Sequence, residues 1–320
     1  MDKRAEEGRP KVVLPKYTLD TFDKRFPDDE ACKQYVMEQR WPDGVKCPRC
    51  QNSNVYKLNF KPWHWQCRLC QKNGYRFSIT TGTIFQDKKL PLKVWFKVAY
   101  LMLSSKKGMS ALQLHRMMHQ SEGADYRTFW YMCHRLRAAM KNMEWDTLMG
   151  EVEVDETYVG GKDKNRHAWK KTHKTGGEAS GKVPVIGAIS RKGNVVCKAI
   201  ENTRRETLND FVKATVSTDV TLLATDEHPA YGKLGTAYPH QFVRHNEKTY
   251  VRGNVHTNNI ENFWSLLKRG VIGTYHNTSA DYLPLYLAEF TFRHNFRQER
   301  DPFELLIRRV SSGSPSPIPD

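Results

Sequence analysis

The sequence predicts an α/β protein in which a mixed sheet flanked by helices follows a small cysteine-bound module and a helical segment. Three observations carry that expectation. Two Cys-x-x-Cys pairs lie between residues 47 and 70, and the apolar period is helical from Leu92 to Met143. Beyond residue 150, short β-rich runs alternate with helical ones, in the order three strands, helix, strand, helix, strand, helix.

A chain of 320 residues has room for two or three cores, and 39% hydrophobic with 11% aromatic content excludes a disordered protein. The formal charge of +16 favours a polyanionic partner, through phosphate neutralisation and counterion release. No run of eighteen apolar residues is present, so no transmembrane helix is expected. The charged opening MDKRAEEGRPK lacks the apolar centre of a secretory signal. Seven cysteines, four of them paired at metal-ligand spacing, fit a reducing, cytoplasmic setting.

In chain order, residues 1–40 read as a charged tail and a short helix from about Asp28 to Gln39. Residues 41–85 form the cysteine module and 86–148 the helical segment. Within that segment Leu92–Leu103 is nearly all apolar and reads as a buried helix. Helices at Ser110–His119 and Tyr126–Met143 follow, separated by a Gly-containing turn at 121–125. On the last of these, Phe129, Met132, Cys133, Leu136 and Met140 share a face, with Arg127, His134, Arg137 and Lys141 on or near the other. The pair fits a helix-turn-helix with a basic outer face; a helical linker with a solvated charged face is the alternative. Residues 149–310 are the α/β domain, with strands at 151–159, 183–190, 195–201, 220–225 and near 241–245. A Ser/Pro-rich tail, 311–320, is expected to be disordered.

Cys47-Pro-Arg-Cys50, sixteen residues, then Cys67-Arg-Leu-Cys70 is the two-knuckle spacing of a zinc ribbon. Four thiolates complete a closed tetrahedral shell, so one structural Zn²⁺ is expected, without a catalytic role. Arg49, Lys57, Lys61, Arg68 and Lys72 surround it, and Trp63, Trp65, Tyr75 and Phe77 supply apolar mass. A DNA surface and a protein-contact surface both remain open for this module.

The acids set the chemistry. Glu151, Glu153 and Asp155 share a strand face by period two, an arrangement expected where an edge is solvated or a cation is present. Asp226 ends the apolar run Thr221–Thr225, and 34 residues separate it from Glu261. Glu261 lies on a helix whose Ile260, Phe263, Trp264 and Leu267 pack inward, and Lys268 follows by seven residues, two helical turns, on the same face. Hard carboxylate oxygens suit Mg²⁺ or Mn²⁺, and two such ions activate an attacking oxygen and stabilise a leaving one in phosphoryl transfer. Asp155, Asp226 and Glu261 are therefore the expected metal-binding and catalytic set.

VDETYVGGK (154–162), TDEHPAY (225–231) and HTNNIENFWSLLKRGVIGTYH (256–276), with the cysteine pairs, resemble the DDE transposases of bacterial insertion sequences. The match is to the ISXO-type branch, in the insertion-sequence family numbered fifteen ninety-five, and covers roughly residues 20–310. The resemblance implies a ribonuclease-H-like catalytic core with an acidic triad at Asp155, Asp226 and Glu261. It also implies Lys268 as a DNA contact. Some members of the branch carry asparagine as the third residue, which makes Asn262 a rival to Glu261. The expected partners are double-stranded DNA, as terminal inverted repeats and target, and further copies of the chain assembled on it. Arg269, Arg127, Arg137 and Lys141 are further candidates for DNA contact.

The basic, Gly-rich stretch 162–182 reads as a DNA-clamping loop or a solvated insertion. His228, His245 and His256 lie near the acids in sequence, and Arg293, Arg297 and Arg300 form a phosphate-facing or merely solvated helix edge. Two rival functions carry the same parts: a metal-dependent nuclease or resolvase, and an inactive zinc-ribbon DNA-binding regulator.

Overall fold

The computed structural model describes residues 17–70, 74–141, 147–161, 181–191, 193–243, 255–276 and 278–312. The chain forms two compact units, residues 1–103 with 296–315, and residues 104–295 with 316–320. This division differs from the sequence boundaries. The last helix, expected with the α/β domain, belongs with the N-terminal elements, and most of the helical segment belongs with the sheet.

In the first unit, α1 (Leu19–Arg25) is a helix the apolar pattern did not announce. It is started by a reciprocal Thr18–Thr21 capping box. α2 (Asp29–Arg40) begins at Asp28, whose carboxylate accepts the Ala31 amide at 2.8 Å. α3 (Leu92–Ser104) is buried along most of its length, as its composition predicts. The last helix, α9 (Pro302–Ser312), packs on α2. Phe303 explains why it joins this unit: its ring lies 5.5 Å from those of Phe22 and Phe96 and 5.8 Å from Phe26. A buried phenylalanine contributes about 1.5–3 kcal/mol, which outweighs nearness in sequence. Strands β1 (Val55–Lys57), β2 (His64–Cys67) and β3 (Tyr75–Ser78) form an antiparallel sheet in this unit. Trp65 and Phe77 are buried there, with Trp41 set edge-on to both.

The second unit opens with α4 (Ala111–Glu122) and α5 (Tyr126–Lys141). Then come β4 (Glu151–Val159), β5 (Val183–Ser190), β6 (Val195–Ala199), α6 (Arg205–Thr215) and β7 (Leu222–Asp226). A 3₁₀ turn (Pro229–Thr236), β8 (His240–Val243), α7 (Asn258–Gly270), a π-helical turn (Val271–Tyr275) and α8 (Leu283–Asn295) complete it. The sheet order is β6-β5-β4-β7-β8. β5 is antiparallel to both of its neighbours, β4 and β6, whereas β7 runs parallel to β4 and β8 parallel to β7.

Alternation along β4 decides what each face holds. Val152 and Val154 pack with Leu208, Phe211 and Val212 of α6 on one face. On the other, Val185, Ile189 and Val195 of the neighbouring strands pack with Ile260, Phe263, Trp264 and Leu267 of α7 and with α8. Glu153 and Asp155 therefore face α7. Helix α5 packs on both α4 and α8, so its expected basic outer face is only partly present. His134 and Arg137 are buried, which corrects that reading for both, while Arg127 and Lys141 are exposed. Among the described residues no helix is long and apolar enough to cross a membrane.

Candidate acidic site

The sheet brings two of the expected acids together. β7 pairs with β4 through Glu151↔Leu222, Val152↔Leu223 and Glu153↔Ala224, and the same register carried two residues on sets Asp155 against Asp226. β7 ends at Asp226 while β4 runs on to Val159, so Asp226 is terminal and Asp155 mid-strand. Past the end of β7, β4 keeps β5 on one side but, among the described residues, has no strand on the other. Two consecutive residues can then reach the same point, and Glu156 does so: ligand oxygens of Asp155, Glu156 and Asp226 all lie within 4.8 Å of one another.

Glu156 was missed because alternation assigns it to the face opposite Asp155. The adjacent acid in Val154-Asp-Glu-Thr157 was the only signal. Its carboxylate accepts the Tyr231 hydroxyl at 2.6 Å, and His228 Nδ1 lies 4.0 Å away. The backbone amide of His228 donates to Asp226 Oδ1 at 3.0 Å, so the turn after β7 fixes both acids. Burial, then the nearby Glu156 and Asp226 charges, push Asp155 up to about 8. Burial, with Asp226, pushes Glu156 up to about 7, although the Tyr231 hydroxyl works against it. Carboxyls this reluctant to ionise side by side are the donor set a hard divalent cation would satisfy.

Helix α7 supplies the third expected acid, and it is anchored by an acid of β4. Glu153 is fully buried, and its Oε2 accepts the backbone amides of Asn259 at 2.8 Å and Ile260 at 3.2 Å. Its Oε1 accepts Asn259 Nδ2 at 2.7 Å and Arg191 Nε at 2.9 Å, and His256 Nδ1 lies 3.1 Å away without hydrogen-bond alignment. Arg191 also pairs with Glu151. The cation expected beside this acidic strand face is thus partly a guanidinium, and Glu151 and Glu153 are structural.

So anchored, α7 turns Glu261, Ser265, Lys268 and Arg269 toward a cleft of about 740 Å³ that Asp155, Glu156 and Ile272 of the following turn also line. Glu261 stands outside the tight three-acid cluster and accepts the Thr257 hydroxyl at 2.8 Å. Its rival Asn262 is not among the lining residues. Burial lowers the ammonium pKa of Lys268, while the nearby Asp155 charge acts the other way. Trp264, also unforeseen as a site residue, donates its indole N–H to Asp155 Oδ2 at 3.1 Å. Its ring lies over Gly187, the residue paired with Asp155 on β5, where an added Cβ would come within 2.6 Å of the indole.

Other expected contacts lie elsewhere. Arg127 and Lys141 do not line the cleft. Arg137, expected to contact DNA, is 2% exposed and pairs with the fully buried Glu289 through Nε at 2.6 Å, so its charge is already matched. Burial alone would raise Glu289, but Arg137 and Arg293 hold it well below the usual carboxylate range. Arg293 is thereby a core residue and not a solvated edge. His228 caps the turn after β7, while His245 and residues 162–180 lie outside the described residues.

In the other unit the four cysteines converge as their spacing predicts, with ligand sulfurs within 4.8 Å of one another. Cys47 Sγ lies 3.5 Å from Cys70 Sγ, and Cys50 Sγ 3.6 Å from Cys67 Sγ. Burial acts to raise the Cys67 thiol, but the amides of Leu69 and Cys70 and the Cys50 sulfur hold it down at about 7. The Cys70 thiol moves the other way, raised by the sulfurs around it, so it is the closed four-sulfur geometry that suits a structural metal.

A cysteine-knuckle module together with an acid-lined cleft at a mixed sheet is the combination that two transposase family models describe. The ISXO2-like transposase domain model matches residues 147–295 and the transposase zinc-ribbon domain model residues 27–73, together more than half of the chain. The chain belongs to the ISXO2-like insertion-sequence transposases. It is also 27% identical over 285 residues to an uncharacterized protein in transposable element ISH50 of Halobacterium salinarum, covering 84% of this chain and 92% of that one. A solved simian T-cell lymphotropic virus intasome, in complex with PP2A regulatory subunit B56 gamma, is 15% identical over 57% of this chain and 68% of that chain. Its TM-score of 0.26 is too low to bear on fold or function.

Proposed function

We propose that the protein binds the terminal inverted repeats of its element and catalyses metal-dependent DNA strand cleavage and strand transfer at the cleft between β4 and α7, beside the end of β7. The observation that carries this reading is the convergence of Asp155, Glu156 and Asp226 within 4.8 Å, at the edge of a cleft lined by Asp155, Glu156, Glu261 and Lys268. Two Mg²⁺ or Mn²⁺ ions would supply activation of the attacking oxygen and stabilisation of the leaving one. Asp155 and Asp226 would hold them, with Glu156 beside both and Glu261 closing the set from α7. Lys268 and Arg269 would grip phosphates at the rim, as point charge and fork respectively. The sheet order β6-β5-β4-β7-β8, with two parallel strands after an antiparallel trio, supports a ribonuclease-H-like core. The four-sulfur cluster would bind one structural Zn²⁺, and its module and the α4–α5 pair would recognise the ends, the latter through exposed Arg127 and Lys141. Two ends must be handled together, so assembly on DNA is part of the proposal.

The test is Asp155→Asn and Asp226→Asn on purified protein, with labelled inverted-repeat duplexes and a strand-transfer assay using pre-nicked ends. Cleavage and joining should both fall at least a thousandfold, with end binding unchanged. A variant that still cuts removes its residue from the site, and cutting without joining by the wild type leaves a nuclease.

A further inference from the structure

Beside the acidic cleft lies a second cavity of about 890 Å³, also built wholly within residues 104–295. The two share Lys107 and Gly273, so they are neighbours on one surface. Their chemistry is opposite. Among the described residues lining the second cavity there is no aspartate or glutamate, whereas Lys106, Lys107 and Arg116 all contribute to it. Arg137 lines it too, but its charge is matched by Glu289. Small and polar residues make up much of the rest, and aromatic rings stand among them, with Tyr126 45% exposed and Trp130 held by T-shaped contact with Tyr282 at 5.0 Å.

Cations without acids call for an anion, and aromatic faces call for a flat apolar partner. A nucleotide of a single strand offers both at once, a phosphate to the ammonium and guanidinium groups and an unpaired base to the rings. The volume falls within the few hundred to a thousand cubic ångströms of small-ligand pockets, too confined for a paired duplex to enter. We propose that this cavity receives unpaired nucleotides of the DNA strand whose phosphodiester lies over Asp155 and Glu156, with Lys107 at the junction. The proposal rests on the strand-processing function given above and adds that the strand is unstacked next to the reacting phosphate. Tyr126 and Trp130 would hold the base, and Lys106 and Arg116 the phosphates.

The experiment uses the full-length, zinc-loaded protein and a short fluorescent oligothymidylate, compared with a duplex of the same length. Lys106→Ala combined with Arg116→Ala, and separately Tyr126→Ala at a half-exposed position, should each weaken oligothymidylate binding about tenfold. Duplex binding should change much less. An oligonucleotide carrying 5-iododeoxyuridine should crosslink on irradiation to the peptide holding Tyr126 or Trp130. Unaltered oligothymidylate affinity in both variants, an equal loss for duplex, or crosslinking confined to the cysteine module would overturn the proposal. Binding needs no catalysis, so a wild type that cuts no DNA yet shows the expected binding and crosslink keeps the cavity and rejects the transposition chemistry. Normal cleavage with unaltered binding in the variants does the reverse.

Discussion

Glu153 accepts the backbone amide of Asn259 at 2.8 Å, so a buried carboxylate of the central strand caps the helix that carries Glu261. Two residues further along the same strand stands Asp155. One side chain thereby sets the distance between the strand acid and the helix acid, and it does so with charge. The helix N-terminus and Arg191 both favour the anion, which is why a fully buried glutamate is tolerated there.

Removing that acid leaves a partly buried guanidinium and orphaned helix amides. Glu153→Ala should cost about 3–5 kcal/mol of stability, the usual penalty for breaking a buried pair from one side. Glu153→Gln should do little better, because its amide presents donors where donors already point. Urea unfolding of the two variants, Arg191→Met and the double variant Glu153→Ala/Arg191→Met measures this. The double variant should lose less than the sum of the two single changes at these positions. Strict additivity would mean that Glu153 and Arg191 do not act as a pair.

Trp264 links the same helix to Asp155 directly. Trp264→Phe keeps most of the packing but deletes the indole donor, a charge-assisted hydrogen bond worth about 1.5–3 kcal/mol to the ionised carboxylate. The expected result is a stable protein with cleavage reduced about tenfold and a higher Mg²⁺ requirement. Gly187→Ala should be worse on both counts, since its Cβ would sit 2.6 Å from the indole and force the ring off Asp155. Thermal unfolding and a Mg²⁺ titration of cleavage separate the two effects. Wild-type metal dependence in Trp264→Phe would show that the indole merely packs.

The acid cluster also predicts how stability follows pH. Burial and mutual repulsion raise Asp155 to about 8 and Glu156 to about 7 in the folded chain, above their ordinary values of 3.8 and 4.5. Between those limits the folded state holds protons that the unfolded state has released. Stability without added divalent ions should therefore fall as pH rises from about 4 to about 8, and level off above that. Calorimetry in buffers stripped of magnesium, but without a chelator that would extract zinc, should show it. Asp155→Asn should flatten the slope, and saturating Mg²⁺ should restore stability most at the alkaline end, since binding releases protons. A slope unchanged by Asp155→Asn would place the titrating groups elsewhere.

Much of this site is legible in the sequence because its parts sit on strongly patterned elements. The β4 and β7 runs, the inward stripe of α7 and the cysteine spacing each follow from a period or a count. What escaped is what alternation alone hides. Glu156 lies on the wrong face by period two and reaches the cluster only because β7 stops beside it. Glu153 looks like a third site acid until α7 is docked and its amides meet it. Phe303 follows the α/β elements in sequence yet packs with Phe22 and Phe96, a choice made by ring packing across the chain. On α5, helical spacing identified the apolar stripe but not that a second helix, α8, covers the opposite side.

Arg137 is the sharpest case of that last point, and it separates two roles that a basic residue can play. Its guanidinium lies 4.3 Å from the Tyr286 ring centroid and 2.6 Å from Glu289, with only 2% of the side chain exposed. Arg127 and Lys141, on the same helix, face solvent. Arg137→Met should therefore lower stability by about 3 kcal/mol, the low end for breaking a buried pair from one side, because Arg293 still partners the Glu289 carboxylate. Arg127→Ala and Lys141→Ala should leave the unfolding curve within about 0.5 kcal/mol of wild type. If these two contact DNA phosphates, each should weaken end binding and reduce the salt slope by about one. Urea unfolding alongside end binding at several salt concentrations resolves the two classes. A stable Arg137→Met protein with weakened DNA binding would return Arg137 to the interface, with Arg293 then sufficient to balance Glu289.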